Sequence, residues 1–141
     1  MPFSYSDAHT SADIGLIASG ESLAEMLTEA ALGLTSVMVE LEDLAGTRSI
    51  EVEISGQDET ELLYRWLSEI IYLKDAENFL LKHCRIEISE KTPLTLHGRL
   101  TGDNITPSRQ RLKTDVKAVT FYKLQVKREN NLWLGEAVLD L

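Results

Sequence analysis

The sequence predicts an α+β sandwich, with two helices covering a mostly antiparallel sheet. Two observations predict it. A strand–helix pair occurs twice in the first half of the chain. The second half holds only strand patterns, the last two joined as a long hairpin. The 141 residues suffice for one domain with a sizeable core, expected to span residues 1–141.

Phe3 to Tyr5 reads as a short edge strand leading into a turn around His9, and Ile14 to Ser19 as the first full strand. Gly20 ends it. Ser22-Leu23-Ala24-Glu25 then forms a capping box, in which the hydroxyl accepts from a free backbone N–H and the glutamate reaches back to the cap. The helix is expected from Leu23 to Val39, because Met26, Leu27, Ala30, Ala31, Leu34, Val37 and Met38 recur at three- and four-residue steps. Such a stripe is core. Glu40 to Gly46 reads as an acidic loop. Thr47 to Ser55 alternates, with Ile50, Val52 and Ile54 on one face and Glu51 and Glu53 on the other. After Gly56, Asp58-Glu59-Thr60-Glu61 places carboxylates at a helix start, where the dipole favours them. Leu62, Leu63, Trp66, Leu67, Ile70 and Ile71 give the buried stripe of that helix, which is expected to stop near Lys74.

Strands follow over Phe79 to Glu90, with Cys84, Ile86 and Ile88 in alternation, and over Thr92 to Thr101. Gly102 to Lys113 reads as the longest irregular loop. Val116 to Lys127 and Leu132 to Leu141 make the closing hairpin around Glu129-Asn130-Asn131. The sequence shows no repeat, although the doubled strand–helix order leaves a structural duplication open.

With 23 carboxylates against 14 basic side chains, the net charge of −9 argues against extended binding of RNA or DNA, which draws its affinity from cations on phosphates. It suits a metal cation or a basic protein partner. The basic patch Arg109-Gln110-Arg111-Leu112-Lys113 is read as a solvated loop. A single cysteine excludes an internal disulfide and a thiolate metal cluster. No stretch has the length or apolarity of a membrane span, and no signal-peptide pattern opens the chain, so the cytoplasm is the expected compartment.

Three pieces could carry chemistry: the turn from His9 to Asp13, the segment around Lys117, and the final Val138-Leu139-Asp140-Leu141. Asp13 and Asp140 each stand at a strand end. If those ends meet, two carboxylates and the terminal one make a hard oxygen site suited to calcium or magnesium. The plainer reading is an aspartate capping a turn and a solvated tail. His9 is either a turn histidine bonded to the backbone or a ligand or base. Lys117, within an apolar strand, either snorkels to solvent or pairs with Asp13 or Asp140. His83 and His97 read as structural or surface residues, and Cys84, which lacks an activating neighbour, as a core residue.

The chain resembles the archease family, small acidic proteins that assist the RtcB-type RNA ligase in tRNA splicing. The resemblance rests on four segments in order. His9-Thr10-Ser11-Ala12-Asp13-Ile14-Gly15 is close to the family's His-Thr-Ala-Asp-Val-Gly, and Gly20-Glu21-Ser22-Leu23-Ala24-Glu25-Met26-Leu27 follows it. The others are Leu62-Leu63-Tyr64-Arg65-Trp66-Leu67-Ser68-Glu69, and Val116-Lys117-Ala118-Val119-Thr120-Phe121-Tyr122 with the closing Val138-Leu139-Asp140-Leu141. The resemblance implies a fold of strand–helix–strand–strand modules and a non-catalytic role, promoting guanylylation of the ligase and its repeated turnover. It implies a divalent-metal site, described in the family with calcium, at Asp13, Asp140 and Leu141. It also implies an activation cluster that includes His9 and Lys117. Ser11 is an extra residue relative to the family, Arg99 stands where a glutamate is usual, and Tyr122 stands where a histidine is usual. A further histidine is usual near Gln110. Two other functions stand beside this one: a small metal-dependent hydrolase, and a chaperone-like binding module with a structural metal.

Overall fold

The computed structural model describes residues 2–7 and 12–141; for Asp7 only the backbone is described. His9 and Ser11 lie outside the described residues. Among the described residues seven strands and two long helices follow one another as β1 (Phe3–Asp7), β2 (Asp13–Gly20), α1 (Leu23–Met38), β3 (Arg48–Gly56), α2 (Glu59–Glu77), β4 (Phe79–Ser89), β5 (Leu94–Asn104), β6 (Ala118–Glu129) and β7 (Leu132–Asp140), with a short 3-10 turn at Leu41–Asp43.

The α+β class holds and every strand pair is antiparallel, but the strands form two sheets rather than one, in the orders β1-β2-β7-β6 and β3-β5-β4. Both helices touch both sheets and share one core with them. Alternation within a strand tells which face is buried and not which sheet the strand joins, so the number of sheets was not legible from it.

The connectivity resolves into two copies of one unit. In β3–α2–β4–β5 the last strand lies between the other two, and in β2–α1–β6–β7 it does the same. The first unit sits as an insert between α1 and β6 of the second. Aligned on this topology, a repeat emerges that a linear reading missed. Ile14, Ser19, Gly20, Glu25 and Leu27 correspond to Ile50, Ser55, Gly56, Glu61 and Leu63. The shared residues have shared jobs. Ser22 accepts from the Glu25 N–H and Asp58 from the Glu61 N–H, at 3.0 and 2.8 Å, capping α1 and α2 alike. A Cβ on Gly20 would lie 2.5 Å from the Met26 nitrogen, and one on Gly56 2.7 Å from that of Leu62, so each strand end abuts its helix too closely for a side chain.

Helix α2 runs three residues past Lys74 to Glu77, where Asn78 closes it in a left-handed conformation. Strand β5 likewise continues through Gly102 to Asn104, shortening the expected loop. Asp103, 2% exposed, ends that strand inside the protein and accepts from the Ala45 N–H at 3.0 Å and the Gln110 amide at 3.1 Å. The basic patch is not simply solvated. Gln110 is buried, Arg111 bonds Asp43 at 2.9 Å, Lys113 lies 3.5 Å from Glu40, and Arg109 3.4 Å from Asp103. The acidic loop after α1 and the basic loop before β6 are the two crossings of the inserted unit, and they bind each other. Val39 and Leu112 form a β-bridge at their centre. Asn130 and Asn131, both at positive φ, make the two-residue turn of the expected β6–β7 hairpin.

Candidate functional site at the strand ends

Alternation along β2 sends Leu16 and Ala18 to the core, and along β7 sends Ala137 and Leu139 there. Asp13 and Asp140 therefore share the opposite face of the four-stranded sheet. Their register is direct: Asp13 pairs with Asp140 across the β2–β7 ladder. Directly opposed residues have Cβ atoms roughly 5 Å apart, and like charges there repel. Both aspartates are half-buried, which adds a desolvation cost.

Three backbone contacts fix this end of the sheet. The Leu141 N–H donates to the Ala12 carbonyl at 2.8 Å, and the Lys117 N–H donates to the Asp140 carbonyl at 2.8 Å. Ala118 pairs with Asp140 as β6 begins. Leu141, next in the chain to Asp140, also packs its side chain on the core. Of the residues expected here, Asp13, Asp140, Leu141 and Lys117 thus converge. The Lys117 side chain is exposed, and among the described residues its ammonium makes no ion pair with either aspartate. His9 is outside the described residues.

Linear reasoning missed Lys74. It occupies the buried stripe of α2, one turn beyond Ile70, and is 6% exposed. Its ammonium donates to the Asp115 carboxylate, to Asp75 at 2.9 Å and to the Val116 carbonyl at 2.8 Å. A buried cation in this position ties Val116, and with it Lys117, to the helix just before β6 reaches Asp140. A lysine where the three- and four-residue pattern calls for an apolar residue was the available signal.

The donors here are all oxygen, the chemistry of hard cations such as calcium and magnesium. Two opposed carboxylates and the Leu141 oxygens fit such an ion as a partial shell. Among the described residues no three His, Cys, Asp or Glu side chains gather into a metal-holding group, so Asp13, Asp140 and Leu141 would supply part of a shell. One row along the same face, Thr120 Oγ1 is buried with no hydrogen-bond partner among the described residues. Cys84 is chemically quiet, because burial pushes its thiol up to about 11. His97 lies on the exposed face of the other sheet, 3.3 Å from Glu53.

Residues 3–141 match the family described as "Archease protein family (MTH1598/TM1083)". The chain is 33% identical over 133 residues to the protein archease of Sulfurisphaera tokodaii, covering 94% of each. It is 34% identical over 131 residues to that of Methanothermobacter thermautotrophicus, covering 92% of this chain and 93% of the relative. Its fold superposes on the solution structure of Methanobacterium thermoautotrophicum protein 1598 with a TM-score of 0.82, at 29% identity over 99% of both chains. A Thermotoga maritima protein, described as an archease and possible chaperone, shares the fold with a TM-score of 0.65 at 21% identity, over 96% of both chains.

Proposed function

The chain belongs to the archease family, and from that premise we propose that it is a non-catalytic accessory protein that activates an RtcB-type RNA ligase. In this reading it promotes guanylylation and repeated turnover of the ligase during tRNA splicing, through a divalent-metal site at the strand ends. One observation carries the reading: Asp13 and Asp140 face each other directly, and the next residue, Leu141, is bonded back to Ala12. Two carboxylates held in direct register are hard oxygen donors of the kind that take a divalent cation.

Asp13 and Asp140 would hold the ion through their carboxylates, and Leu141 through its carbonyl or carboxylate. A hard cation bound there neutralises the opposed charges and leaves open positions for oxygen ligands. This chain's own part is positional. The Leu141 and Lys117 backbone bonds set the carboxylates in register, and Lys74 fixes the approach of Lys117 from beneath. Lys117 adds a cation at the rim, and the acidic surface of the chain suits a basic protein partner rather than the RNA itself.

The test is a ligation assay with an RtcB-type ligase from the same source, GTP and a divalent metal, at sub-stoichiometric ligase. The chain is expected to speed guanylylation and permit multiple turnovers. Asp13→Ala and Asp140→Ala are expected to abolish the stimulation, while the melting temperature moves by no more than about 4 °C. Full stimulation by both variants would sink the reading. A lower melting temperature with stimulation intact would make any bound metal a staple in a chaperone-like module.

A further inference from the structure

A second surface leads away from the strand ends. An open groove of about 860 Å³ runs along the solvent side of α2. Tyr64, Ser68 and Tyr72, one helical turn apart in succession, form its floor, and Phe121 of β6 closes one side. Phe121 is 74% exposed and Tyr72 58%, high values for large rings. The Phe121 ring is nonetheless placed with care, stacked on Tyr64 at 4.5 Å between centroids and 17° between planes.

The backbone accepts a cost to hold it there. The β6–β7 ladder breaks between Thr120 and Gln125, and Lys123 within the break adopts φ 54, a left-handed conformation unfavourable for a residue with a side chain.

The rim is acidic. Glu53, Asp58, Glu61 and Glu69 line the groove against the single guanidinium of Arg65, which is itself 3.8 Å from Glu61. The opposite wall is β3, an edge strand of its sheet. An extended chain lying there would meet free backbone groups on one side and aromatic faces on the other. A smaller hollow of about 240 Å³ shares Tyr64, Ser68 and Tyr72 and ends at Lys117, Ala118 and Val119, beside Asp140. The groove thus leads toward the start of β6, where Ala118 pairs with Asp140.

We propose that this groove docks an extended, Arg- or Lys-bearing segment of the protein partner whose body engages the strand ends. Its cationic side chains lie over the Tyr64–Phe121 and Tyr72 rings and pair with Glu69 and Glu61. Phosphate backbones are repelled by the same rim, which excludes an RNA strand as the occupant. The inference rests on the reading of the chain as a ligase-activating protein, and it supplies the affinity while the strand ends supply the activation.

Titration of an RtcB-type ligase with wild-type chain, with a Phe121→Ala/Tyr72→Ala double variant and with Glu69→Lys separates the two roles. All three substituted positions lie outside the core, and circular dichroism checks the fold. The half-saturating concentration is expected to rise about tenfold or more in each variant, most in low salt for Glu69→Lys, with the plateau rate unchanged. Variants indistinguishable from a stimulating wild type overturn the groove and leave the activator reading intact. If the wild type itself gives no stimulation, the activator reading fails and a labelled octapeptide of alternating Arg and Val decides the groove. Binding lost in the variants upholds it, and no binding to the wild type overturns it.

Discussion

The two strand–helix–strand–strand units share topology, cap and strand-end glycine, and differ where chemistry resides. At the position of the Asp13–Asp140 pair, the inserted unit has Ser49 opposite Thr101. One row further, Gly15, Val138 and Thr120 in the outer unit correspond to Glu51, Arg99 and Arg85 in the inserted one. Inside, most of the buried positions of α1 recur in α2, yet Met38 of the first corresponds to Lys74 of the second, which anchors the segment before β6. The core positions repeat because packing constrains them. The outer faces diverge because only one of them carries the carboxylate pair.

This equivalence can be broken by experiment. Gly20→Val and Gly56→Val each drive a side chain into the first turn of a helix, and each is expected to cost about 3 kcal/mol, read from urea unfolding. Equal losses would uphold the equivalence of the two units, and a silent substitution in one would end it.

A milder perturbation acts on the seam between the units. Hydrogen bonds from the Arg111 side chain and backbone hold the Asp43 carboxyl down to about 2. The Ala45 N–H, with Arg109 and Gln110, lowers that of Asp103. Carboxyls depressed in the folded protein stabilise it fully above their ordinary range, near pH 4, and lose that contribution as the pH falls toward 2. Protection of the Ala45 and Arg111 amides, taken against unfolded-chain exchange at the same pH, is therefore expected to fall below pH 4 ahead of that in the cores of α1 and α2. Simultaneous loss would mean the seam is no weaker than the units.

The smallest effect concerns the outer face of the inserted unit. Arg85 stands directly opposite Arg99, and among the described residues neither guanidinium has a salt bridge or hydrogen-bond partner. Arg85→Glu turns repulsion into attraction on an edge strand and is expected to stabilise by about 0.5 kcal/mol, seen as a higher urea midpoint. A lower midpoint would show that the pair is held apart by something other than charge.

Much of this architecture was legible. Gly20, Ser22, Gly56 and Asp58 marked where strands stop and helices start, and the apolar stripes named most of the core. The duplication hid because only scattered positions agree between the copies and β6 and β7 are separated from their unit by the insert. Asp103 and Gln110 carry the residue types of a loop, and only the close approach of the Ala45 N–H and the other crossing accounts for their burial. The opposition of Asp13 and Asp140 could be suggested by their strand-end positions and not established by them, since register between strands so distant in sequence is set by the whole sheet. The Tyr64–Phe121 groove was invisible, because it depends on a break in the β6 ladder that alternation does not signal.

The nesting of one unit inside the other also sets an order of events in folding. The strands β3, β4 and β5 are near neighbours in the chain and can close with α2 as soon as they exist. By contrast β2 has only β1 as a near partner, and its other neighbour, β7, comes from the far end of the chain. Loop closure thus makes the docking of β7 the late step, and the same step sets Asp140 against Asp13. A chain that has not finished folding has no paired carboxylates to offer, so the strand ends mark a completed molecule.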